Sequence, residues 1–155
     1  MVKSKILLPR YFRYIGIFLT MAGIVMSVIR FGFGIKPDFL EVKVFVVYAA
    51  YLQTSEFRFI TNNISEEICG ITLLLGLSFL AFSRFKTETE ELWVLRTKAF
   101  MYSFYSLTIL MIFCLVFIYG WGFLIVMTAN IILYLLIYNI WFYLFFFRAS
   151  REVSD

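Results

Sequence analysis

The hydrophobic positions of this chain fall into four long runs, and polar residues are largely confined to the segments between them. The runs cover residues 14–33, 64–83, 99–119 and 123–147. Each is close to the roughly 20 residues that an α-helix needs to cross the hydrocarbon core of a bilayer. The pattern predicts an all-α membrane protein, a four-helix transmembrane bundle that forms a single integral membrane domain over residues 1–155.

The segment between the first two runs, residues 34–62, follows another pattern. Between residues 39 and 48, β-branched positions such as Val42 and Val44 alternate with charged or aromatic ones, and residues 57–61 form a second stretch of β type. This alternation predicts a small extracytoplasmic β-hairpin between helices 1 and 2. Because a two-stranded hairpin alone is marginally stable, we expect it to pack against another surface.

Capping residues predict where two of the helices begin. Asn63 precedes the second run with Glu66 three positions later, and Thr87 precedes Glu90 in the same way. The second pair predicts a cytoplasmic helix extension over residues 88–98 that continues unbroken into the third span. In this interpretation Arg96 and Lys98 lie at the lipid headgroups.

Composition places the chain in lipid rather than water. Apolar residues make up 63% of it and charged residues 15%, whereas soluble domains have roughly 45–50% and 25%. Most of the 14 lysines and arginines lie before the first run, between the second and third, or after the fourth. Because basic residues mark the cytoplasmic side, both termini are predicted to be cytoplasmic in a multi-pass protein.

Small residues recur at helical spacing within the runs, and they allow membrane helices to approach closely. The positions predicted to pack against neighbouring helices are Gly16, Thr20, Gly23, Ser27, Gly76, Ser103 and Ser106. Their distribution predicts that helices 1, 2 and 3 form the tightly packed part of the bundle. Asn130 and Asn139 are expected to make interhelical hydrogen bonds, and Cys69 and Cys114 are expected to be unpaired packing residues.

Arg30 lies on the small-residue stripe of the first span, about one helical turn from its outer end. An ionisable residue on the inner side of a membrane helix is a functional candidate, and its expected partners are Glu66 and Glu67, or Asp38 in the loop. Two interpretations remain open. In the first, Arg30 forms a structural ion pair or extends to the membrane interface. In the second, it binds a ligand or acts in gating. Among the charged residues of the chain, Arg30 is predicted to lie furthest inside a span.

Several residue types that enzymes rely on are missing. The chain has no histidine, the commonest neutral-pH base and zinc ligand, and it has no glycine-rich phosphate loop and no Cys-x-x-Cys pair. We therefore predict no catalytic residue, no metal, no cofactor and no enzymatic activity. The predicted function is that of a non-catalytic regulatory, sensory or accessory subunit, and the alternative is an oligomeric pore-forming or transport protein.

Four segments also carry a resemblance to known proteins. "PDFLEVKVF", "NNISEEICG", "KTETEELWVLRTKAF" and "YGWGFLIVMTANI" occur in this order. In them the chain resembles a family of small, uncharacterised four-span bacterial inner-membrane proteins, over residues 11–148. The resemblance implies a location in the bacterial inner (cytoplasmic) membrane and carries no ligand or catalytic residue with it. The expected partners are the lipid bilayer and either further copies of the chain or another membrane protein, but no nucleic acid.

Overall fold

The computed structural model describes residues 7–50, 54–86 and 89–152. Its main elements are α1 (Tyr11–Ser27), β1 (Glu41–Ala50), β2 (Thr54–Asn63), α2 (Ser65–Phe82), α3 (Glu90–Phe117) and α4 (Trp121–Glu152). A π-helical turn over Val28–Gly32 extends α1, and a 3-10 turn over Asp38–Leu40 precedes β1. The predicted fold class, four long helices with a β-hairpin between the first two, is confirmed.

All four helices are long and apolar enough to cross a membrane. The candidate spans are Tyr11–Gly32, Ser65–Phe82, Glu90–Phe117 and Gly122–Arg151. Large apolar side chains such as Phe18, Ile109 and Ile125 are exposed along them. Outward-facing apolar side chains on helices of this length suit a lipid environment, so the chain is a multi-pass membrane protein.

The four helices alternate in direction, so two ends of the bundle can be distinguished. Leu8 donates its N–H to Phe82 O at 2.9 Å, which joins the residues before α1 to the end of α2. Arg13 Nη2 donates to the Tyr143 hydroxyl at 3.2 Å, which joins α1 to the last turns of α4. We call this end, where the described chain begins and ends, the terminal end, and the opposite one the hairpin end.

The helices pack in the order α1, α2, α4, α3. The prediction that helices 1, 2 and 3 form the tight part of the bundle is therefore wrong for helix 3, which packs along α4. The reason is shape, because small residues on α2 and α3 leave room for large rings from α4. Ala81 and Ala99 surround Phe142 and Tyr138 in the core cluster, and Phe142 is completely buried.

The contact between α1 and α2 is close enough to involve the two backbones. A methyl group added at Gly76 would lie 2.6 Å from the backbone nitrogen of Thr20, and one at Gly16 would lie 3.0 Å from the Gly76 carbonyl oxygen. Gly23 faces α2 as well, since a Cβ there would lie 2.8 Å from a Leu73 side-chain carbon. Close approach of this kind is how membrane helices gain packing energy in lipid.

The hairpin is antiparallel and keeps one register from Glu41 opposite Asn63 to Ala50 opposite Thr54, interrupted at Phe57, which has a positive φ of 47°. Its strands are each 10 residues long, so β1 equals the first predicted stretch in length but begins two residues later, and β2 is longer than the second. Ile64 donates its N–H to Leu40 O at 3.1 Å, which closes the base of the hairpin where α2 begins.

The predicted helix starts differ from the observed ones by a few residues. Asn63 accepts a hydrogen bond from the N–H of Ser65 at 3.1 Å, just before α2. The predicted cap Thr87 lies outside the described residues, and Thr89 is the observed N-cap of α3, with Oγ1 accepting from Leu92 N at 3.3 Å. Within the described residues, the predicted extension and the third span form one continuous helix that begins at Glu90.

Candidate functional site

Arg30 and Glu66 form an ion pair at the hairpin end, between Nη2 and Oε1. The Arg30 side chain is 12% exposed and that of Glu66 is 53% exposed. Each charge complements the dipole of its own helix, because Arg30 lies at the carboxyl end of α1 and Glu66 in the first turn of α2. The pair thus joins the two helices on either side of the hairpin.

The backbone around Arg30 is unusual for a membrane helix. Phe33 donates its N–H to Val28 O at 3.2 Å, a π-type bond across five residues, and Gly34 then adopts a positive φ of 68°. A left-handed glycine ends a helix at no steric cost. The π turn shifts the direction of side chains relative to an α-helix, and such turns are common at functional sites. Nothing in the residue pattern distinguishes it from an α-helical turn.

The two glutamates expected to pair with Arg30 have separate roles. Glu66 contacts Arg30, whereas Glu67 accepts a hydrogen bond from Asn62 Nδ2 at 3.3 Å. Asn63 Nδ2 donates to Pro37 O at 2.9 Å. The start of α2 is therefore tied both to α1 and to the segments on either side of the hairpin.

Arg30 retains unused hydrogen-bonding capacity. Its Nε is buried and has no hydrogen-bond partner within the described part of the chain. Its guanidinium carbon lies 5.7 Å from the centroid of the Phe31 ring. Because a guanidinium has five N–H donors, the contact with Glu66 leaves donors available at the hairpin end.

The described aromatic side chains of the hairpin and its entry are exposed. We call this group the hairpin surface, and it consists of Phe39, Phe45, Phe57 and Phe59. Phe45 and Phe59 are cross-strand partners with ring centroids 5.4 Å apart, and they remain 55% and 69% exposed. These four rings are therefore not covered by the described residues of this chain.

Arg96 occupies a buried position at the terminal end. Its side chain reaches from α3 to α2, where Nη1 donates to Ala81 O at 2.6 Å and Nη2 to Ser83 O at 2.9 Å. The residue is only 6% exposed, and its guanidinium carbon lies 4.9 Å from the Phe142 ring centroid. Arg96 therefore satisfies carbonyl groups that the end of α2 would otherwise leave without partners.

Burial distinguishes the two basic residues that were predicted to lie together at this end of α3. Arg96 is buried between helices whereas Lys98 is exposed, and Arg96 is at least as buried as Arg30, so Arg30 is not the only arginine that faces the inside of the bundle. The sequence contains a signal for the burial of Arg96. Arg96, Ala99 and Ser103 are spaced three and four residues apart and therefore share one helix face. All three are buried.

A second arginine shares aromatic contacts at the terminal end. The guanidinium carbon of Arg13 lies 3.8 Å from the centroid of the Phe85 ring, and that of Arg96 lies 5.7 Å from the same centroid. Arg84 Nε donates to Leu7 O at 3.2 Å. These arginines join the helix ends by contacts with aromatic rings and by hydrogen bonds to backbone carbonyl groups.

Two grooves open on the sides of the bundle. The α1/α4 groove, about 500 Å³ in volume, has α2 as its floor and is lined by Thr20, Ile24, Ser27, Phe31, Leu73 and Ile132, among others. The α2/α3 groove, about 270 Å³, has α4 as its floor and is lined by Phe82, Trp93, Arg96, Thr97, Phe100 and Tyr134, among others. Their walls are mainly apolar and aromatic.

The remaining predicted packing residues lie mostly between helices. Ser103 is buried and bonds within α3, and Ser106 accepts a hydrogen bond from Trp141 Nε1 of α4 at 3.2 Å. Asn139 Nδ2 donates to Leu77 O of α2 at 3.2 Å, an interhelical bond of the expected kind. Asn130 is half-buried, and no such bond joins it to the described residues.

The chain offers few groups for chemistry beyond these contacts. Cys69 and Cys114 are buried and free, and the described residues contain no cluster of three or more metal-binding side chains. Comparison with protein-family models, with curated proteins and with solved structures finds no match for this chain. The hairpin, the buried arginines and the grooves are therefore the features of this protein that bear on its function.

Proposed function

We propose that the protein is a non-catalytic accessory subunit of the bacterial inner membrane, with a regulatory or sensory role, whose hairpin contacts another membrane protein. The observation that carries the proposal is the exposed Phe45 and Phe59 pair on a segment outside the four candidate spans. Exposed apolar patches of this kind are typical of protein interaction sites.

The energetics of the hairpin support a partner. A two-stranded ribbon is marginally stable alone in water, and here the rings of Phe45 and Phe59 remain exposed. Burying a phenylalanine that was exposed gains about 2 kcal/mol. Contact through Phe45 and Phe59 would therefore stabilise both the hairpin and the complex.

Charge distribution supports an orientation with both termini in the cytoplasm and the hairpin outside it. Basic residues such as Arg13, Arg84, Lys98 and Arg148 belong to the terminal end. Of the 14 lysines and arginines of the chain, only four lie between α1 and α2, where three acidic residues accompany them. Under the positive-inside rule, the hairpin would then meet a partner on the extracytoplasmic side.

The grooves favour an accessory role over the alternative of a pore or transporter. An aqueous path needs polar walls, and among the described residues that line the larger groove only Thr20 and Ser27 have polar side chains. In the smaller groove the charged side chain is Arg96, which is held by two carbonyl groups of α2.

Copurification combined with a flux assay tests this proposal. We expect the tagged chain to copurify with one protein at a fixed ratio, and Phe45→Ser together with Phe59→Ser to abolish that association while the bundle stays folded. Phe18→Ser is the matched control, because Phe18 is at least as exposed as either ring but lies within α1. If the purified chain alone passes ions across liposomes and Arg30→Ala abolishes the flux, the accessory role is contradicted.

A further inference from the structure

We propose that the partner protein binds the hairpin by adding one extended strand to the free edge of β1, so that the two-stranded sheet becomes three-stranded. Strand addition rests on the proposed function and specifies the form of the contact with the partner. Recognition then depends on backbone hydrogen bonds as well as on the exposed rings.

β1 has one edge that is paired and one that is not. Within the described part of the chain the sheet consists of β1 and β2, and no helix packs closely against β1. Along an antiparallel strand, alternate residues direct their N–H and C=O groups to opposite edges. About half of the residues of β1 therefore present backbone donors and acceptors on the side away from β2. Such an edge is the template to which an extended segment of another chain adds.

The two edges of the hairpin are not equivalent. β2 is interrupted at Phe57, which has a positive φ of 47°, and its sequence contains the charged residues Glu56 and Arg58. β1 runs through Glu41–Ala50, and residues 44–50 include no charged residue, proline or glycine. Irregular backbone and charged residues are features that block strand addition. The edge that accepts the partner strand is therefore that of β1.

Side chains on one face of β1 define the chemistry of the partner strand. Glu41, Lys43 and Phe45 share this face because they are two residues apart, and all three are exposed. Glu41 and Lys43 lie opposite uncharged residues of β2, and neither forms an ion pair within the described residues. Opposite charges on neighbouring strands stabilise their pairing. The partner strand accordingly places a carboxylate beside Lys43 and an apolar side chain beside Phe45.

A third strand also supplies what the hairpin lacks for stability. Two strands alone are marginal in water, whereas three strands with an apolar face can be independently stable. Phe45 contacts Phe59 on the β2 side, and the added strand would place a side chain on its other side. The sheet would thus gain backbone hydrogen bonds and cover for an exposed ring together.

Amide hydrogen exchange at single-residue resolution tests the backbone contact. It is measured on the purified full chain and on the complex that copurifies with the tagged chain, in the same detergent. In the chain alone, the outward-facing amides of both strands should exchange quickly. In the complex, those of β1 should slow at least about tenfold, while those of β2 should stay fast. Slowing on both edges, or on neither, would overturn strand addition.

Matched proline variants test the same edge through association. Val44 pairs with Ile60 and Ala49 with Ser55, and only one of these register pairs directs its N–H groups outward. Fast exchange in the chain alone identifies that pair. In it, proline on β1 removes an edge donor and should weaken association about tenfold, whereas proline on β2 should leave it unchanged. Equal effects of the two prolines would contradict the proposal.

A charge variant tests the chemistry assigned to the partner strand. Lys43→Glu should weaken association about tenfold. Lys36→Glu is the matched control, because Lys36 is also exposed but precedes β1, and it should have no effect. Unchanged association of the Lys43 variant would contradict a carboxylate beside this residue.

Failure of strand addition is distinguishable from failure of the proposed function. A complex that forms while the fast amides of β1 stay fast overturns strand addition alone and leaves the accessory role intact. Absence of any complex with another protein contradicts both. If the same amides slow in the purified chain as its concentration rises, β1 pairs between copies of this chain, which overturns its assignment to a partner protein.

Discussion

Phe45 on β1 and Phe59 on β2 face each other across the hairpin with ring centroids 5.4 Å apart, and both rings are exposed. Cross-strand aromatic pairs stabilise a sheet, but their full contribution needs a third surface that excludes water. The described residues of this chain leave both rings without such a surface, and the proposed partner would supply it. This relationship underlies the proposed accessory role.

The close contact between α1 and α2 makes Gly76 sensitive to any side chain. Gly76→Ala should lower the free energy of unfolding by about 1–3 kcal/mol, because the added methyl would overlap the backbone of Thr20. Unfolding can be followed in detergent with a thiol-reactive dye, since Cys69 and Cys114 are buried in the folded bundle.

Gly70→Ala is the matched control, because no atom within 4 Å would meet its added methyl and the residue lies in the same helix. It should be neutral or stabilising, by up to about 1 kcal/mol, since alanine is the better helix former. Equal effects of Gly70→Ala and Gly76→Ala would show that the two backbones are not in contact.

The ion pair at the hairpin end predicts different effects for neighbouring glutamates. Glu66→Gln removes the charge that faces the mostly buried Arg30 and should lower stability by about 1 kcal/mol. Glu67→Gln should have a smaller effect, because its amide oxygen can still accept the bond from Asn62. The measurement is the midpoint of thermal unfolding in the same detergent.

A double-mutant cycle on Arg30→Met and Glu66→Gln isolates the interaction itself. The two changes should be less than additive, by about 0.5–1 kcal/mol, and the coupling should shrink at high salt. Full additivity would mean that the contact contributes nothing to stability.

Two tyrosines of α4 should respond in opposite ways to removal of their hydroxyls. The Tyr134 hydroxyl is buried without a hydrogen-bond partner among the described residues, so Tyr134→Phe should leave stability unchanged or raise it. Tyr143→Phe should lower it by about 1 kcal/mol, because the hydroxyl accepts from Arg13. A larger loss at Tyr134 would reveal a partner for its hydroxyl.

The proposed orientation predicts the accessibility of each end of the bundle. In intact cells, a cysteine introduced at Thr61 in the hairpin should react with a membrane-impermeant thiol reagent. One introduced at Ser150 near the end of α4 should react only after the cells are opened. The reverse pattern would contradict cytoplasmic termini.

The hydropathy pattern predicts the four helices, and the alternation of β-branched with charged or aromatic residues predicts the hairpin. Both kinds of element leave a local periodicity in the sequence. The order of helix packing could not be predicted in this way. It depends on how Phe142 of α4 fits between Ala81 and Ala99, which is a property of three-dimensional shape.

The two arginines show where sequence reasoning about charge succeeds and where it fails. Arg30 stands out because it interrupts an apolar run, and the structure places it against Glu66. Arg96 lies at the margin of a run, where a basic residue usually marks the headgroups. Its burial follows from the position of two carbonyl groups at the end of α2, which only the tertiary structure reveals.

Site-specific photocrosslinking from Phe59 in living cells tests the accessory role most directly. A photoreactive amino acid at this position should give one discrete protein adduct that disappears when Phe45→Ser is added. The same amino acid at Phe18 of α1 should give no such adduct. Absence of a protein adduct at Phe59, or an adduct formed only with further copies of this chain, would contradict the account.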